Sequence, residues 1–280
     1  MSGTLYVVAT PIGNLEDLTP RARETLAEAD LVAAEDTRHT RRLLSHIGAK
    51  PVLMALHDHN EEQVLPSIIE ALESGKNVAL VSDAGTPLVS DPGYRLVRAA
   101  RGQGLPVVPL PGASAVMAAL SVAGLPTDRF CFEGFAPAKP AARRKWLGAL
   151  ADEPRTIVLF ESVHRIHDCL ADMVAIFGRG RDAFVGRELT KLHEQCVSAT
   201  LGELHSMVDA GDIVGKGEFV IVVAGAGERP RPAIDVDRLL GELASHLSAR
   251  DAARIVADLT GEKKNALYER VLALRNDAAS

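Results

Sequence analysis

Two acids in the segment LVSDAGTPLVSDPGYRLVRAA (residues 80–100), Asp83 and Asp91, each stand beside a glycine or proline turn, between an apolar run and a helix-like one. A carboxylate at the end of such a run can accept hydrogen bonds from ribose hydroxyls or face a cation, and Ala84, Gly85 and Thr86 leave room beside Asp83 for a flat base. The alternative is an Asx-type turn in which Asp83 closes only its own loop. A second loop, VVATPIGNLEDLTP (residues 7–20), leaves its apolar run through Thr10, Pro11, Ile12 and Gly13, a stiff turn with too few glycines for a dinucleotide pyrophosphate. A third, PLPGASAVMAAL (residues 109–120), enters a helix behind Ser114, which suits an N-cap whose following amides can donate to a carboxylate. It is a poor nucleophile elbow, because Val116 stands where G-x-S-x-G needs glycine. No G-x-x-x-x-G-K-[ST] segment occurs, so a nucleotide phosphate cradle is missing. A ligand with an adenosine, a carboxylate and a positive charge suits three such loops, and S-adenosylmethionine is that molecule.

The elements that must position these loops follow a strand-then-helix rhythm. Apolar runs at Leu5–Ala9, Leu31–Ala34, Val52–Leu56, Val78–Val81 and Val107–Leu110 alternate with periodic segments, which predicts an α/β lobe over residues 1–122 with a parallel sheet covered on both faces. Thr19 before Pro20 marks a helix start, Gly75 ends a helix over Glu62–Ser74, and Gly102 and Gly104 close the next. In such sheets ligands gather at the carboxyl ends of the strands, where the three loops lie. Beyond residue 122 the spacing changes. Strands at Phe130–Gly134, Thr156–Phe160, Ala183–Arg187, Glu194–Thr200 and Phe219–Val223, with helices near Arg143–Leu150 and Val163–Phe177, predict a second, mixed α/β lobe over residues 123–226. The stretch GAGERPRPAID has the composition of a linker, set at residues 227–236. Residues 237–280 then read as a helical hairpin of helix-turn-helix type, with Ser248 as N-cap, Gly261 as the break and a second helix from about Lys264.

Composition narrows the setting. The 280 residues are 47% hydrophobic, enough for more than one core, and no segment stays apolar long enough to span a bilayer, so a cytoplasmic protein without membrane attachment is expected. Cys131, Cys169 and Cys196 are widely spaced and lack any C-x-x-C pairing, so they read as buried reduced thiols. A net charge of -6 argues against a chain that grips nucleic acid with its whole surface, and DNA is not expected as a partner. Two local clusters run the other way: Arg38, Arg41, Arg42 and Lys50, and Lys139, Arg143, Arg144 and Lys145. Each is either a contact for a nucleic-acid backbone or a solvated helix face balanced by acids elsewhere.

The segments ATPIGNLEDLTPRARETL, AAEDTRHTRRLL, ALHDHNE, LVSDAGTPLVSDPGYRLVRAA, PLPGASAVMAALSVAGLPTDRFCFEGFAPAK, FESVHRI, RELTKLHE and KGEFVIVVAG resemble the successive signatures of a family of ribosomal RNA small-subunit methyltransferases within the tetrapyrrole methylase superfamily. The tail GEKKNALY is similar to that family's C-terminal helical unit, so the likeness is nearly full length. It implies two α/β lobes with the cofactor in the cleft between them, S-adenosylmethionine as methyl donor, the ribose 2'-oxygen of a cytidine in the 16S rRNA decoding region as acceptor, and a homodimer. The carried-over cofactor pocket comprises Thr10, Pro11, Asp83, Gly85, Thr86, Ser114 and Ala115, closed from the second lobe by Phe160, the neighbourhood of Arg187, and Glu218. Ala113 departs from the pattern, standing where the family usually has proline.

Methyl transfer to a hydroxyl asks for an oxygen held in line with the sulfonium methyl and for removal of its proton. Orientation can supply about 7–11 kcal/mol and a general base roughly 3–5 kcal/mol, so placement dominates. Candidates for the proton are Glu35 and Asp36 after the second strand and His57 after the third. Two histidines at i and i+2 in HDH make a weak metal signal, and no metal site is assigned. Arg38, Arg41, Arg42, Lys139, Arg143, Arg144 and Lys145 are the expected RNA contacts, and Trp146 either stacks on an extruded base or belongs to the core. A small-molecule tetrapyrrole methylase and a non-catalytic ribosome-assembly factor remain the alternatives.

Overall fold

The computed structural model describes residues 2–227 and 235–277, and divides into two compact units, Met1–Ala226 and Gly227–Ser280. In the first unit, β1 (Leu5–Val8), β2 (Leu31–Ala34), β3 (Val52–Ala55), β4 (Val78–Val81) and β5 (Val107–Leu110) form a wholly parallel sheet in the order β3-β2-β4-β1-β5. β2 and β4 are buried at every position, which is why LVAA and VALV are unbroken apolar runs rather than alternating ones. Successive residues still serve opposite faces. Leu31, Ala33 and Leu80 enter one core with Ile68 and Leu96, whereas Val32, Ala79 and Val81 enter the other with Leu26 and Leu44.

Helices α1 (Pro20–Glu28), α2 (Thr37–Ile47), α3 (Glu61–Glu73), α4 (Tyr94–Gly102) and α5 (Ala115–Val122) follow the five strands. Their starts are set by side-chain oxygens that accept orphan amides: Thr19 from Ala22 N, with proline at the first helical position, Asp36 from Arg38 N, and Ser114 from Met117 N. β4 and β1 are neighbours although β2, β3 and three α-helices lie between them in the chain, so the loops that follow them emerge side by side.

The second sheet contains β6 (Phe130–Phe135), β7 (Thr156–Ser162), β8 (Asp182–Arg187), β9 (Gln195–Thr200) and β10 (Glu218–Val223), in the order β6-β7-β10-β8-β9. Only β6 and β7 run parallel; the other pairings are antiparallel, which makes the mixed sheet expected from the sequence. On one face, α6 (Pro140–Ala149), α7 (Ile166–Phe177) and α8 (Leu201–Ala210) close a core around Ile157, Leu159, Leu170, Phe219 and Ile221. The other face receives α5: Val116, Ala119 and Leu120 pack with Val158, Phe184, Val220 and Val222. The helix that ends the first lobe in sequence is therefore the piece that fastens the second lobe to it.

Two expectations need correction, and one left open is decided. Arg143 does not face solvent: its side chain is 3% exposed and its guanidinium is 2.7 Å from Asp172, which also accepts from Arg144 at 2.7 Å. A buried guanidinium is held by its carboxylate and has no donors to offer an RNA backbone. Trp146, its neighbour on α6, is half-buried against the second core. Cys131 and Cys169 are buried, and burial pushes the Cys169 thiol well up, but Cys196 is exposed on β9, an edge strand whose alternate residues face out.

In the second unit the α10 (Ala249–Thr260) and α11 (Lys264–Asp277) pair has the Ser248 cap, accepting from Asp251 N, and the left-handed Gly261 break at φ 75°. A further helix, α9 (Val236–His246), precedes them, so the hairpin is part of a three-helix unit with Leu240, Ala252, Val256, Leu267 and Val271 at its centre. Most of the proposed 227–236 linker, residues 228–234, lies outside the described residues.

Replacing Asp172 by alanine strands the Arg143 guanidinium in the core. Urea unfolding of Asp172→Ala is expected to show a loss of about 3 kcal/mol, while Arg144→Ala, which removes only the exposed partner, changes stability by less than about 1 kcal/mol.

Candidate active site

Strand-end loops on the first sheet are stitched together by backbone groups. Thr10 N donates to Gly85 O at 2.9 Å and Gly85 N returns to Thr10 O at 3.1 Å, a two-residue antiparallel bridge between the loops after β1 and β4. Gly85 takes φ 92°, and an added Cβ would lie 3.1 Å from Ile12 Cγ2, so the turn needs glycine for conformation and for space. Thr10 Oγ1 donates to Ser82 O at 3.2 Å, and Thr86 Oγ1 donates to Ala113 O at 3.1 Å, which ties in the third loop. The Asp83 carboxylate accepts from Asp36 N at 2.9 Å and so joins the loop after β2. It does not simply close its own turn, as the Asx alternative would have it.

These loops wall one side of a cavity of about 560 Å³, within the range of small-ligand sites. Ile12, Glu35, Asp83, Asp91 and Ala115 line it from the first lobe; Phe135, Phe160, Leu189, Lys191 and Glu218 line it from the second. Phe160 meets Phe132 and Phe135 edge to face, at centroid distances of 4.9 and 5.5 Å, which gives the cavity a rigid apolar wall. The charges are uneven. Burial, then the nearby Asp91 and Asp83 carboxylates, raise Glu35 to about 7. Burial, with Asp83 and Asp58, also raises Asp91. On the other wall Lys191 Nζ lies 2.9 Å from Glu188 Oε1 and 2.9 Å from Glu218 Oε2.

The non-glycine residues with positive φ among the described residues are Leu88, Ser90, Glu188 and Thr190, all in the two loops beside this cavity. Such conformations cost energy and persist where the surrounding structure dictates them, as at ligand sites. Crowded carboxylates facing an aromatic wall fit S-adenosylmethionine: a positive centre is attracted to acids that burial first, and their mutual repulsion second, make costly to ionise, and a flat base meets apolar side chains.

Of the ten cofactor residues expected from the sequence, Asp83, Ala115, Phe160 and Glu218 line the cavity. Gly85, Thr86 and Ser114 shape its loops, and Thr10 and Pro11 lie at a narrower pocket of about 30 Å³ behind Asp83. Arg187 does not reach the cavity. It is buried, and its guanidinium donates to the carbonyls of Lys216 and His193, and to Gln195 Oε1, thereby holding the loops after β8 and before β10. Asp36 is spent as the α2 cap and in an ion pair with Arg38, which hold its carboxyl well below the usual range, so it is a poor base. His57 is not on the cavity wall. Glu35 is therefore the one of the three proton candidates that lines the site. Asp91 belongs with it, and its place beside a Pro-Gly turn at a strand end was the available signal; Leu189 and Lys191, from a second-lobe loop, had none beyond their nearness to Arg187.

Residues 4–205 match the tetrapyrrole (corrin/porphyrin) methylases, and residues 231–275 match the RsmI C-terminal HTH domain. Ribosomal RNA small subunit methyltransferase I of Xylella fastidiosa (strain Temecula1) is 53% identical over 267 residues, 95% of this chain and 98% of that protein. The protein of the same name from Escherichia coli O157:H7 is 52% identical over 272 residues, 96% and 95% of the two chains. Among solved structures, the methyltransferase CobJ superposes with a TM-score of 0.60 at 21% identity, over 81% of this chain and 96% of that one. Uroporphyrin-III C-methyltransferase from Thermus thermophilus, complexed with S-adenosyl homocysteine, gives 0.54 at 20%, over 79% and 97%. The chain belongs to the tetrapyrrole methylase family and, within it, to the ribosomal RNA small subunit methyltransferase I family. It is a methyltransferase.

Glu35 sets a pH dependence of stability. Below its ordinary value of 4.5 the carboxyl is protonated in both states; between there and about 7 it ionises in the unfolded chain first, so stability falls as pH rises through that window. Urea midpoints of Glu35→Gln should match the parent near pH 4, to within roughly 0.5 kcal/mol for a substitution without such an effect, and exceed it near pH 8.

Proposed function

We propose that the protein transfers a methyl group from S-adenosylmethionine to the ribose 2'-oxygen of a cytidine in the 16S rRNA decoding region of the small ribosomal subunit, acting in the cytoplasm as a homodimer. The observation that carries this reading is the family membership at about half identity over nearly the whole of each chain, joined to a cavity whose acids and aromatic wall fit that donor. S-adenosylmethionine supplies an electrophilic methyl on a sulfonium centre. Asp83, fixed by the amide of Asp36, accepts hydroxyl hydrogen bonds of the donor or faces its positive charge, and Phe160 and Leu189 exclude water from the same space.

The acceptor oxygen bonds to the methyl carbon as the carbon–sulfur bond breaks, and its proton passes to the Glu35 carboxylate. A base held at about 7 is partly ionised at cellular pH and returns its proton readily. Holding the ribose in line accounts for most of the rate, and the base adds a smaller factor. The RNA backbone lies against the exposed basic face of α2, where Arg38, Arg41 and Arg42 surround one surface hollow, and against Lys139, Arg144 and Lys145 around α6. Arg38 is 88% exposed even while paired to Asp36, so its second face is open to a phosphate.

Small subunits carrying unmethylated rRNA, incubated with labelled donor and then mapped for ribose methylation, test the assignment; label on a base, on protein or nowhere would overturn it. Asp83→Ala should abolish heat on titration with S-adenosyl homocysteine, and retained binding would displace the cofactor from this cavity. Glu35→Gln should lower kcat by about 10²- to 10⁴-fold with KM little changed, and remove the rise in rate with pH that follows ionisation of Glu35. Alanine at Arg41 or Arg42 should reduce the salt slope of subunit binding by about one each, whereas Arg143→Ala should leave that slope as it was.

A further inference from the structure

Away from the cavity, α7 and α8 bring three metal-ligating side chains together. His205 and Asp209 are one helical turn apart on α8 and so share a face, and His167 reaches them from α7. One ligand atom from each lies within 4.8 Å of the others. His167 Nε2 is 2.6 Å from Asp209 Oδ1, and His205 Nδ1 is 3.6 Å from Asp209 Oδ2. Tetrahedral zinc places neighbouring ligand atoms about 3.3 Å apart, so the second distance is already close and the first must open by a small side-chain rotation.

Other features of the cluster agree. Asp168 Oδ1 lies 3.3 Å from His167 Nδ1, on the far side of the ring. A carboxylate there fixes the tautomer and orients the opposite nitrogen, the outer arrangement usual for metal-bound histidines. His205 turns Nδ1 toward Asp209 and so offers that nitrogen as its ligand atom. Two imidazoles and one carboxylate are a donor set for zinc rather than for magnesium or calcium, which take oxygen ligands.

We propose that His167, His205 and Asp209 form a zinc-class divalent metal site that staples α7 to α8, with water as the fourth ligand. None of the three lines the active-site cavity, so the site lies apart from the place proposed for methyl transfer.

The test uses the full-length chain, free of any histidine tag and stripped of metal, titrated calorimetrically with zinc sulfate. One zinc per chain is expected at a Kd of about 10 µM or tighter, with Tm raised by several degrees at a hundredfold excess over Kd. His167→Ala and Asp209→Ala should each weaken binding at least tenfold; both side chains are about half exposed, so neither change empties the core. Cys196→Ser, which removes the exposed thiol, should leave binding unchanged. Cobalt(II) substituted for zinc should give tetrahedral d–d bands without sulfur charge transfer. Absence of heat with the parent chain, equal affinity in the His167 and Asp209 variants, or loss of binding in Cys196→Ser would each overturn the site.

Discussion

Two reciprocal hydrogen bonds between Thr10 and Gly85 are the constraint on which the rest of the first lobe's functional end depends. Parallel strands deliver their loops to one edge of the sheet, but nothing in a parallel sheet dictates how those loops meet. Here the bridge sets the spacing of the loops after β1 and β4, and the left-handed Gly85 it requires turns Asp83 and Ala84 toward the cavity. The Asp83 carboxylate then fixes the β2 loop through Asp36 N, and that loop holds Glu35 among the other acids. Position, and through it the shifted proton affinity of Glu35, follows from backbone geometry several residues away.

The second lobe solves a different problem. It must present an apolar wall while its own helices carry many charges, and it does so by pairing them internally. Arg143 with Asp172, Arg165 with the buried Glu161, and Arg187 with three acceptors are all spent on structure. A basic residue near a ligand site is therefore a poor guide to ligand contact in this lobe. Phe135 and Phe160, the latter backed by Phe132, and Lys191 with Glu218 remain to face the cavity.

Much of this was legible in the residues. Buried parallel strands read as unbroken apolar runs, and Thr19, Ser114, Ser248 and Gly261 act where cap chemistry put them, because those signals are local. Asp83 was legible only as one of two readings, a ligand contact or an Asx-type turn, and its bond to the amide of Asp36 on another loop is what goes beyond the second. What escaped were consequences of distant pairing. Nothing near Arg143 announces Asp172, 29 residues on, and nothing near Arg187 announces the carbonyl of Lys216. The run of charges on α6 looked like a ligand face because sequence shows charge but not direction. Glu35 and Asp36, adjacent in sequence, divided into a cavity acid and a helix cap only when the fold separated their environments.

The central place of β10 in the second sheet carries a consequence for the order in which the molecule is made. It sits between β7 and β8, yet it is the last of the five strands to leave the ribosome. Until residue 223 has emerged, β7 and β8 each present an unpaired inner edge, and α5 lacks Val220 and Val222 on which to rest. The nascent second lobe is thus open through most of its synthesis, with exposed edges that invite pairing with other chains. Insertion of one six-residue segment completes its sheet and the far wall of the cavity in a single event.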